Sequence, residues 1–484
     1  MRHADEAVTA VEYDSRRVGP GAIFVAIPGA HSDGHDHAPE AVARGAVAVV
    51  AERPIGGLDP RVAVILVANS RAALAPLAAR LFDDPSRALC VAGVTGTDGK
   101  TTTSTMLHAA WQASGIAAAA LTTVDFRVGA VVTPNRTRQT TLEAPDLQAQ
   151  LRVALEGGCS HVALETSSHA LVLHRVDEVE FRVAVVLAVT SEHLEVHGTR
   201  EAYLAAKARL VERVAAHPDG LAVLDGDDSY GFAHMRSIAV PRRLVVSGAG
   251  SAAADLRAEA VTAGPGGVRF RARTPWGDTA VELRLAGRFN AGNALAALAA
   301  ACATGASLEG ATRGLAALER VPGRMERVDR GQPFSVVIDY AHTAEALERV
   351  LDELRAATTG RLWAVFGSAG ERDRPKRAVM GAVAARLADR VVITDEDPRG
   401  ENRQAILEEI AAGARAAGLA GEALAVIPVR AEAIAFAIDN AAPGDTVLCA
   451  GKGHESSIIG SDGPHPWSER AAVEAALDAR AARG

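Results

Sequence analysis

Short apolar runs recur along the chain, each closing in polar residues and each followed by a helical pattern. Residues 22–27, 46–51 and 62–67 predict strands separated by helices, up to a break at "FDDPSRA" where charge, proline and serine cluster. Residues 89–94 predict a strand that enters a glycine-rich loop. A helix then opens near Lys100 and stops at Gly115. "HVALE" at 161–165, "FRVAVVLAV" at 181–189 and "LAVLD" at 221–225 continue the alternation. Strands alternating with helices imply a parallel sheet covered on both faces. "GVRFRARTPWGDTAVELRLAG" predicts an antiparallel hairpin late in this region, and "NALAALAAACATGA" a helix of small, packed residues.

A third unit begins near "VPGRMERV", with strands in "FSVVIDY", "RLWAVFG", "RVVITDEDP" and "GDTVLCAGKGHE". All four run apolar first and polar last. Ligands of open α/β sheets bind beyond the carboxyl ends of strands. The tails "DYAHT", "GSAGERD", "DEDPRGE" and "GKGHE" are therefore expected to meet in one crevice. The expected fold class is α/β in three domains: residues 1–88, 89–320 and 321–484. The first is small, and the second carries the glycine loop. No internal repeat or low-complexity linker interrupts them.

Composition narrows the function classes. A chain of 484 residues with 48% hydrophobic residues can bury several cores. The net charge of −8 argues against a nucleic-acid protein. Cys90, Cys159, Cys302 and Cys449 are widely spaced and form no CxxC pair, which speaks for a reducing compartment. The first residues lack the apolar core of a signal peptide, and no apolar run is long enough to span a membrane. A cytoplasmic monomer acting on small molecules is the expectation.

The glycine loop carries the first chemical signal. "GVTGTDGKTTT" places glycines at 93, 96 and 99, off the usual phosphate-loop spacing. Gly96, Thr97, Asp98, Gly99, Lys100, Thr101 and Thr102 still offer backbone N–H groups, a cation and hydroxyls between a strand and a helix. Thr101 stands where such a loop holds Mg²⁺. A ligand-free tight turn is the bland alternative, and the strand–loop–helix context favours phosphate. Glu165 ends an apolar strand, where a carboxylate is costly unless paired or metal-bound. Taken singly, His193 reads as a capping or packing residue and Lys207 as a solvated helix residue. Asn290 reads as a helix cap, whereas Asn293, inside the first turn, could reach a base or ribose.

Together these segments resemble the Mur ligase family. The resemblance runs in order through "DSRRVGPGAIFVAIPG", "GTDGKTTT", "LETSSHALVLHRV", "HLEVHG", "YLAAK", "FNAGNALAA", "PGRME", "DYAHT", "GERDRPKR", "DEDPRGEN" and "GKGHE". It covers nearly the whole chain, and the family's own loop has the form GTxGKT. It implies a UDP-binding first domain, a central phosphate-loop ATPase and a Rossmann-like, amino-acid-binding third. It is nearest to the members that add a diamino acid to UDP-N-acetylmuramoyl-L-alanyl-D-glutamate. The resemblance implies that Ser15 and the "HSDG" loop near His31 contact the uridine nucleotide. It implies that Thr140, Thr141, Ser167 and Arg175 hold the muramoyl peptide. ATP would lie on Gly96–Thr102 with Asn293, Arg324, Asp339 and His342. Mg²⁺ would be held by Thr101, Glu165, His193 and a carbamylated Lys207. Catalysis would rest on Lys100, Lys207, His193 and Glu165. The diamino acid would meet Arg372, Glu396, Asp397, Pro398, Arg399, Gly451 and Glu455.

Several positions depart from the family pattern: Asp98, Gln139, Leu173, Ala188, Glu192 and Asp397. Asp397 replaces a neutral asparagine beside Arg399. Arg399 and Arg372 suit the distal carboxylate of meso-diaminopimelate, whereas Asp397 with Glu396 and Glu455 would suit the bare ammonium of ornithine or lysine. Two rival readings remain at this point. One is a folylpolyglutamate synthase-like ligase, which shares the ATPase core without the first domain. The other is a non-catalytic nucleotide-binding homologue.

Overall fold

The central strand Cys90–Thr95 is apolar and buried along most of its length because both its faces are covered. In the computed structural model, residues 7–29, 32–190, 192–264 and 266–483 are described, and His31 lies outside them. The chain forms two compact units. One contains the residues up to Ser247 with 251–256 and 295–311, and the other contains the remainder.

In the first unit, four short strands, Ala10–Glu12, Ala22–Val25, Ala48–Ala51 and Ala63–Leu66, pair in parallel and in chain order. Val18, Phe24 and Val49 pack on one side. Val25, Val50 and Leu74 pack on the other, beneath the helix Ser70–Leu81. Asn69 starts that helix by accepting from the Ala72 N–H at 2.9 Å.

The larger sheet of this unit runs Arg242–Ser247, Leu221–Asp225, Phe181–Val186, Cys90–Thr95, His161–Glu165 and Ala118–Leu121, all parallel. Two antiparallel strands, Asp125–Val128 and Val131–Pro134, extend it beyond the sequence expectation. These segments are short, and one ends in proline, so their apolar signal is weak. The next strand in sequence after Cys90–Thr95 is Ala118–Leu121, and it does not pair with it; His161–Glu165 lies between. The glycine loop therefore leaves the sheet where the order of strands reverses, the usual position of a ligand crevice.

The second unit holds the expected hairpin, Gly267–Thr274 with Gly277–Leu283, joined by a third antiparallel strand, Leu256–Gly264. Its main sheet has the order Glu326–Val328, Ser335–Asp339, Thr446–Ala450, Leu362–Phe366, Arg390–Ile393, Leu424–Val426. The first strand is antiparallel and the others are parallel. One face is covered by the helices Ala344–Ala357, Lys376–Leu387 and Arg403–Ala416. The other is covered by Arg430–Asn440 and Glu469–Ala481. Asp339 pairs with Ala450 and Phe366 with Ile393, so the polar tails leave the sheet at a common level. Among the described residues no helix is long and apolar enough to cross a membrane.

Candidate active site

The three glycines of the loop do different work. Gly93 lies inside the strand, where a Cβ would sit 2.7 Å from Leu210 and Phe181 side chains. It is a packing glycine, which explains why the spacing looked irregular. Gly96 has φ +152°, and a Cβ there would meet Leu187 Cβ at 2.7 Å. Gly99, at φ 82°, turns the chain into the helix Lys100–Ala113. The helix thus opens directly from the loop, and a helix N-terminus is suited to an anion. Thr97 pins the loop: its N–H donates to Ala188 O at 2.8 Å, and its hydroxyl accepts from the Thr190 N–H at 2.9 Å. The Ala188 contact is made by backbone, so the departure from the family residue leaves it intact.

Lys100 Nζ donates to the carbonyls of Gly96, at 3.1 Å, and Thr97, at 2.7 Å. Lys207, in the helix Arg200–Ala215, is 1% exposed and donates to the same Gly96 carbonyl at 2.7 Å. Its ammonium lies 4.5 Å from the centre of the Tyr203 ring. Burial, with the charge of Lys100 second, pushes its pKa well below 10.5. Lys207 is therefore biased toward the neutral amine. The sequence reading of an isolated Lys207 as a solvated helix residue is overturned by this burial.

Glu165 joins two halves of the site. Its carboxylate accepts from the Thr101 hydroxyl at 3.0 and 3.1 Å and from the Thr123 N–H at 2.8 Å. Its main-chain carbonyl accepts from the Thr141 hydroxyl at 2.8 Å. That hydroxyl accepts in turn from the Ser167 N–H at 3.0 Å. Arg175 donates to Thr141 O at 3.0 Å and pairs with Glu143 at 2.9 Å, while its Nε is buried without a hydrogen-bond partner. Thr141, Ser167 and Arg175 are thus gathered beside the glycine loop. Ser15 is bonded elsewhere, to Glu40 at 3.0 Å.

His193 sits at φ 56° before the short helix Leu194–His197. Its ring meets His169 edge-on, with centroids 4.6 Å apart, and lies 6.5 Å from Tyr203. Thr101 and Glu165 supply the oxygen donors that a hard cation prefers. Among the described residues no three His, Cys, Asp or Glu side chains gather as a metal site.

In the second unit, Asp339 accepts from the N–H groups of Met325, at 2.7 Å, and Ala341, at 2.8 Å. Arg324 stacks over Tyr340 at 4.7 Å, and the Tyr340 and His342 rings lie 4.7 Å apart. Tyr340 Oη donates to Glu455 at 3.4 Å, linking this group to the "GKGHE" loop. Asn293 donates to Asn290 Oδ1 at 2.9 Å, and Asn290 donates to Ala286 O at 2.6 Å. Asn290 therefore holds the Asn293 side chain in place with its own side-chain oxygen.

The loops at 396–399 and 451–455 hold a charge cluster. Lys452, fully buried, donates to Asp397 at 2.7 Å and to Glu455. Asp397 also accepts from the Ile459 N–H at 2.9 Å. Arg399 takes φ 53°, and its Nε is buried without a hydrogen-bond partner. Glu396 Oε2 is likewise buried and unbonded, and Gly451 lies beside it, with a Cβ there falling 3.8 Å away. Arg372 is exposed on its loop.

The profile "Mur ligase family, catalytic domain" matches residues 7–81, "Mur ligase middle domain" 94–301, and "Mur ligase, glutamate ligase domain" 323–453. A UDP-N-acetylmuramyl-tripeptide synthetase of Roseiflexus sp. (strain RS-1) is 48% identical over 99% of this chain and 96% of its own. The chain belongs to the Mur ligase family. A UDP-N-acetylmuramoyl-L-alanyl-D-glutamate--2,6-diaminopimelate ligase of Geobacillus kaustophilus is 41% identical over 98% of this chain and 95% of its own. A solved structure bearing that ligase name aligns with TM-score 0.67 at 32% identity, covering 98% of this chain and 95% of the other. Folylpolyglutamate synthase of Mycobacterium tuberculosis shares the fold at 18% identity over 79% of this chain, which leaves that rival distant.

Within this Mur ligase, sequence reasoning missed residues that touch the site residues rather than carrying a motif role. Glu143 pairs with Arg175, Tyr203 reaches Thr97 with its hydroxyl at 3.3 Å, and Lys452 holds Asp397. Lys452 lay inside a quoted motif. A lysine between glycines at a strand end, two loops from an unexpected aspartate, was the available signal.

Proposed function

We propose that the protein is an ATP-dependent ligase that joins a diamino acid to UDP-N-acetylmuramoyl-L-alanyl-D-glutamate through an acyl phosphate. The observation that carries this reading is the double engagement of Glu165. Its carboxylate holds Thr101 of the phosphate loop, and its carbonyl holds Thr141 of the peptide-binding group. A phosphoryl donor on the loop and a carboxylate acceptor near Thr141, Ser167 and Arg175 would then lie side by side.

A free carboxylate is a poor electrophile, because an amine cannot expel oxide from it. The γ-phosphoryl group of ATP is transferred to a carboxylate oxygen of the D-glutamyl residue, and ADP leaves. The amine nitrogen of the incoming amino acid attacks the acyl carbon and loses a proton. Inorganic phosphate departs with the former carboxylate oxygen. Lys100 turns from the Gly96 and Thr97 carbonyls to the phosphates and neutralises charge on the group in transfer. Arg175 and the Thr141 hydroxyl position the acceptor carboxylate. Asn293, Arg324, Asp339 and His342 are assigned to the nucleotide on the family resemblance. Mg²⁺ would draw on Thr101, Glu165, His193 and a carbamylated Lys207, and would supply charge neutralisation at the phosphates. The neutral amine of Lys207 is the form that adds CO₂. These small polar substrates suit the cytoplasm.

Diaminopimelate is the favoured amino acid. Asp397 is engaged by Lys452, which it shares with Glu455, so part of the negative charge it adds beside Arg399 is balanced. Arg399 Nε and Glu396 Oε2 are buried with bonding capacity to spare. One cation and one anion of that kind fit the carboxylate and ammonium of a zwitterionic amino-acid end. The test is phosphate release from ATP in the presence of the muramoyl dipeptide and a panel of amino acids. Release with meso-diaminopimelate, and little with lysine or ornithine, is expected. Turnover of lysine or ornithine alone would reassign Asp397 as the reader of a side-chain amine. No release with any amino acid would favour the non-catalytic homologue.

A further inference from the structure

Arg430 opens the helix Arg430–Asn440 and is 2% exposed. Its guanidinium makes four hydrogen bonds. Two go to Glu469, at 2.8 and 2.5 Å. The other two go to the main-chain carbonyls of Asp395, at 3.1 Å, and Ala450, at 2.7 Å. Glu469 begins the helix Glu469–Ala481 and also accepts from the Trp467 indole N–H at 2.8 Å.

The two carbonyls are the informative part. Asp395 immediately precedes Glu396, and Ala450 immediately precedes Gly451. They follow strands that are not neighbours: Leu362–Phe366 lies between Thr446–Ala450 and Arg390–Ile393. No ladder hydrogen bond can therefore fix one loop against the other. After the intervening strand comes Gly367, where a Cβ would lie 2.2 Å from Thr394 O and 2.9 Å from Glu396 N. The middle loop start is packed without slack against residues 394–396, and the rigid fork of Arg430 bridges the outer two.

We propose that Arg430, anchored by Glu469, is a positioning residue for the acceptor amino acid: it sets Glu396 against the Gly451 loop without touching the substrate. A buried ion pair is a weak source of stability, and apolar residues of similar size often replace one without loss. The arrangement is therefore read here as geometric. Arginine is required because only a planar fork reaches two carbonyls and a carboxylate at once. This inference rests on the reading of the 396–399 and 451–455 loops as the amino-acid pocket.

The test uses the full-length protein with the paired change Arg430→Met, Glu469→Leu, and separately Glu469→Gln. The paired variant should unfold close to the wild-type temperature. Its KM for the diamino acid should rise at least ~10-fold, with the KM values for ATP and the muramoyl dipeptide within ~2-fold. Hydrogen exchange should quicken in 396–399 and 451–455 and stay unchanged in the glycine loop. Glu469→Gln, which keeps shape, should shift the same KM in the same direction by less, and it carries the test if the paired variant does not fold. An unchanged amino-acid KM in a folded variant, or a common rise in all three KM values, overturns the proposal. If the wild-type protein shows no amino-acid-dependent turnover, the ligase reading fails instead, and the exchange comparison alone decides whether Arg430 fixes these loops.

Discussion

Lys100 and Lys207 donate to one and the same acceptor, the carbonyl oxygen of Gly96, at 3.1 and 2.7 Å. Two ammonium groups at one carbonyl repel each other, and the buried one bears the larger desolvation cost. Lys207 is the buried one, and burial, with the charge of Lys100 second, pushes its pKa well down. The proposed function gives Lys100 to the phosphates and Lys207 to modification.

Replacing Lys207 with alanine is expected to lower turnover by about 100-fold or more. Short carboxylates such as acetate should restore part of it by standing in for a carbamate. Phosphate release measures both effects, and full activity in the alanine variant would exclude a role for Lys207.

Lys100→Ala should fold normally, because the side chain bonds only to the carbonyls of its own loop. Turnover should nevertheless fall ~100- to 1000-fold. Thermal unfolding and phosphate release on one preparation separate the two effects. An equally active variant would remove this loop from catalysis.

Arg175→Lys keeps the charge and loses the fork that meets both Thr141 O and Glu143. The KM for the muramoyl dipeptide should rise about 10-fold. The KM for ATP should hold. A change confined to the ATP constant would detach Arg175 from the peptide.

Acid sensitivity has a specific source in His108, which is 7% exposed and whose pKa is lowered to about 4 by burial, with Arg127 adding to the effect. The unfolded chain binds this proton near pH 6.5 and the folded chain only near 4. The stability contributed by the neutral ring is therefore full above pH 6.5 and is lost as the pH falls toward 4, by up to about 3 kcal/mol. His108→Leu should flatten the fall in unfolding temperature across that window. An unchanged slope would place the acid sensitivity elsewhere.

Much of this was legible in the sequence because strand and helix patterns are local. The strand "HVALE" matches its expected bounds, and the polar tails do leave the second sheet at one level. What escaped was relational. Nothing in the spacing distinguishes Gly93, which packs against Phe181, from Gly96, which shapes the loop. The burial of Lys207 depends on which helix face meets the glycine loop, and a helix that interleaves charged residues with alanines gives no strong stripe to say so. Arg430 and Glu469 are 39 residues apart and look like ordinary surface charges until the fold closes them on each other. The Asp397 departure looked like a change of specificity because its partner Lys452 lay in another loop.

The central claim is amide-bond formation at the muramoyl dipeptide. Its most direct measurement is the mass of the uridine-nucleotide product after incubation of the protein with ATP, Mg²⁺, UDP-N-acetylmuramoyl-L-alanyl-D-glutamate and meso-diaminopimelate. The account predicts a product heavier by one diaminopimelate residue, formed in step with one equivalent of phosphate. An unchanged dipeptide, with or without ATP hydrolysis, would contradict it.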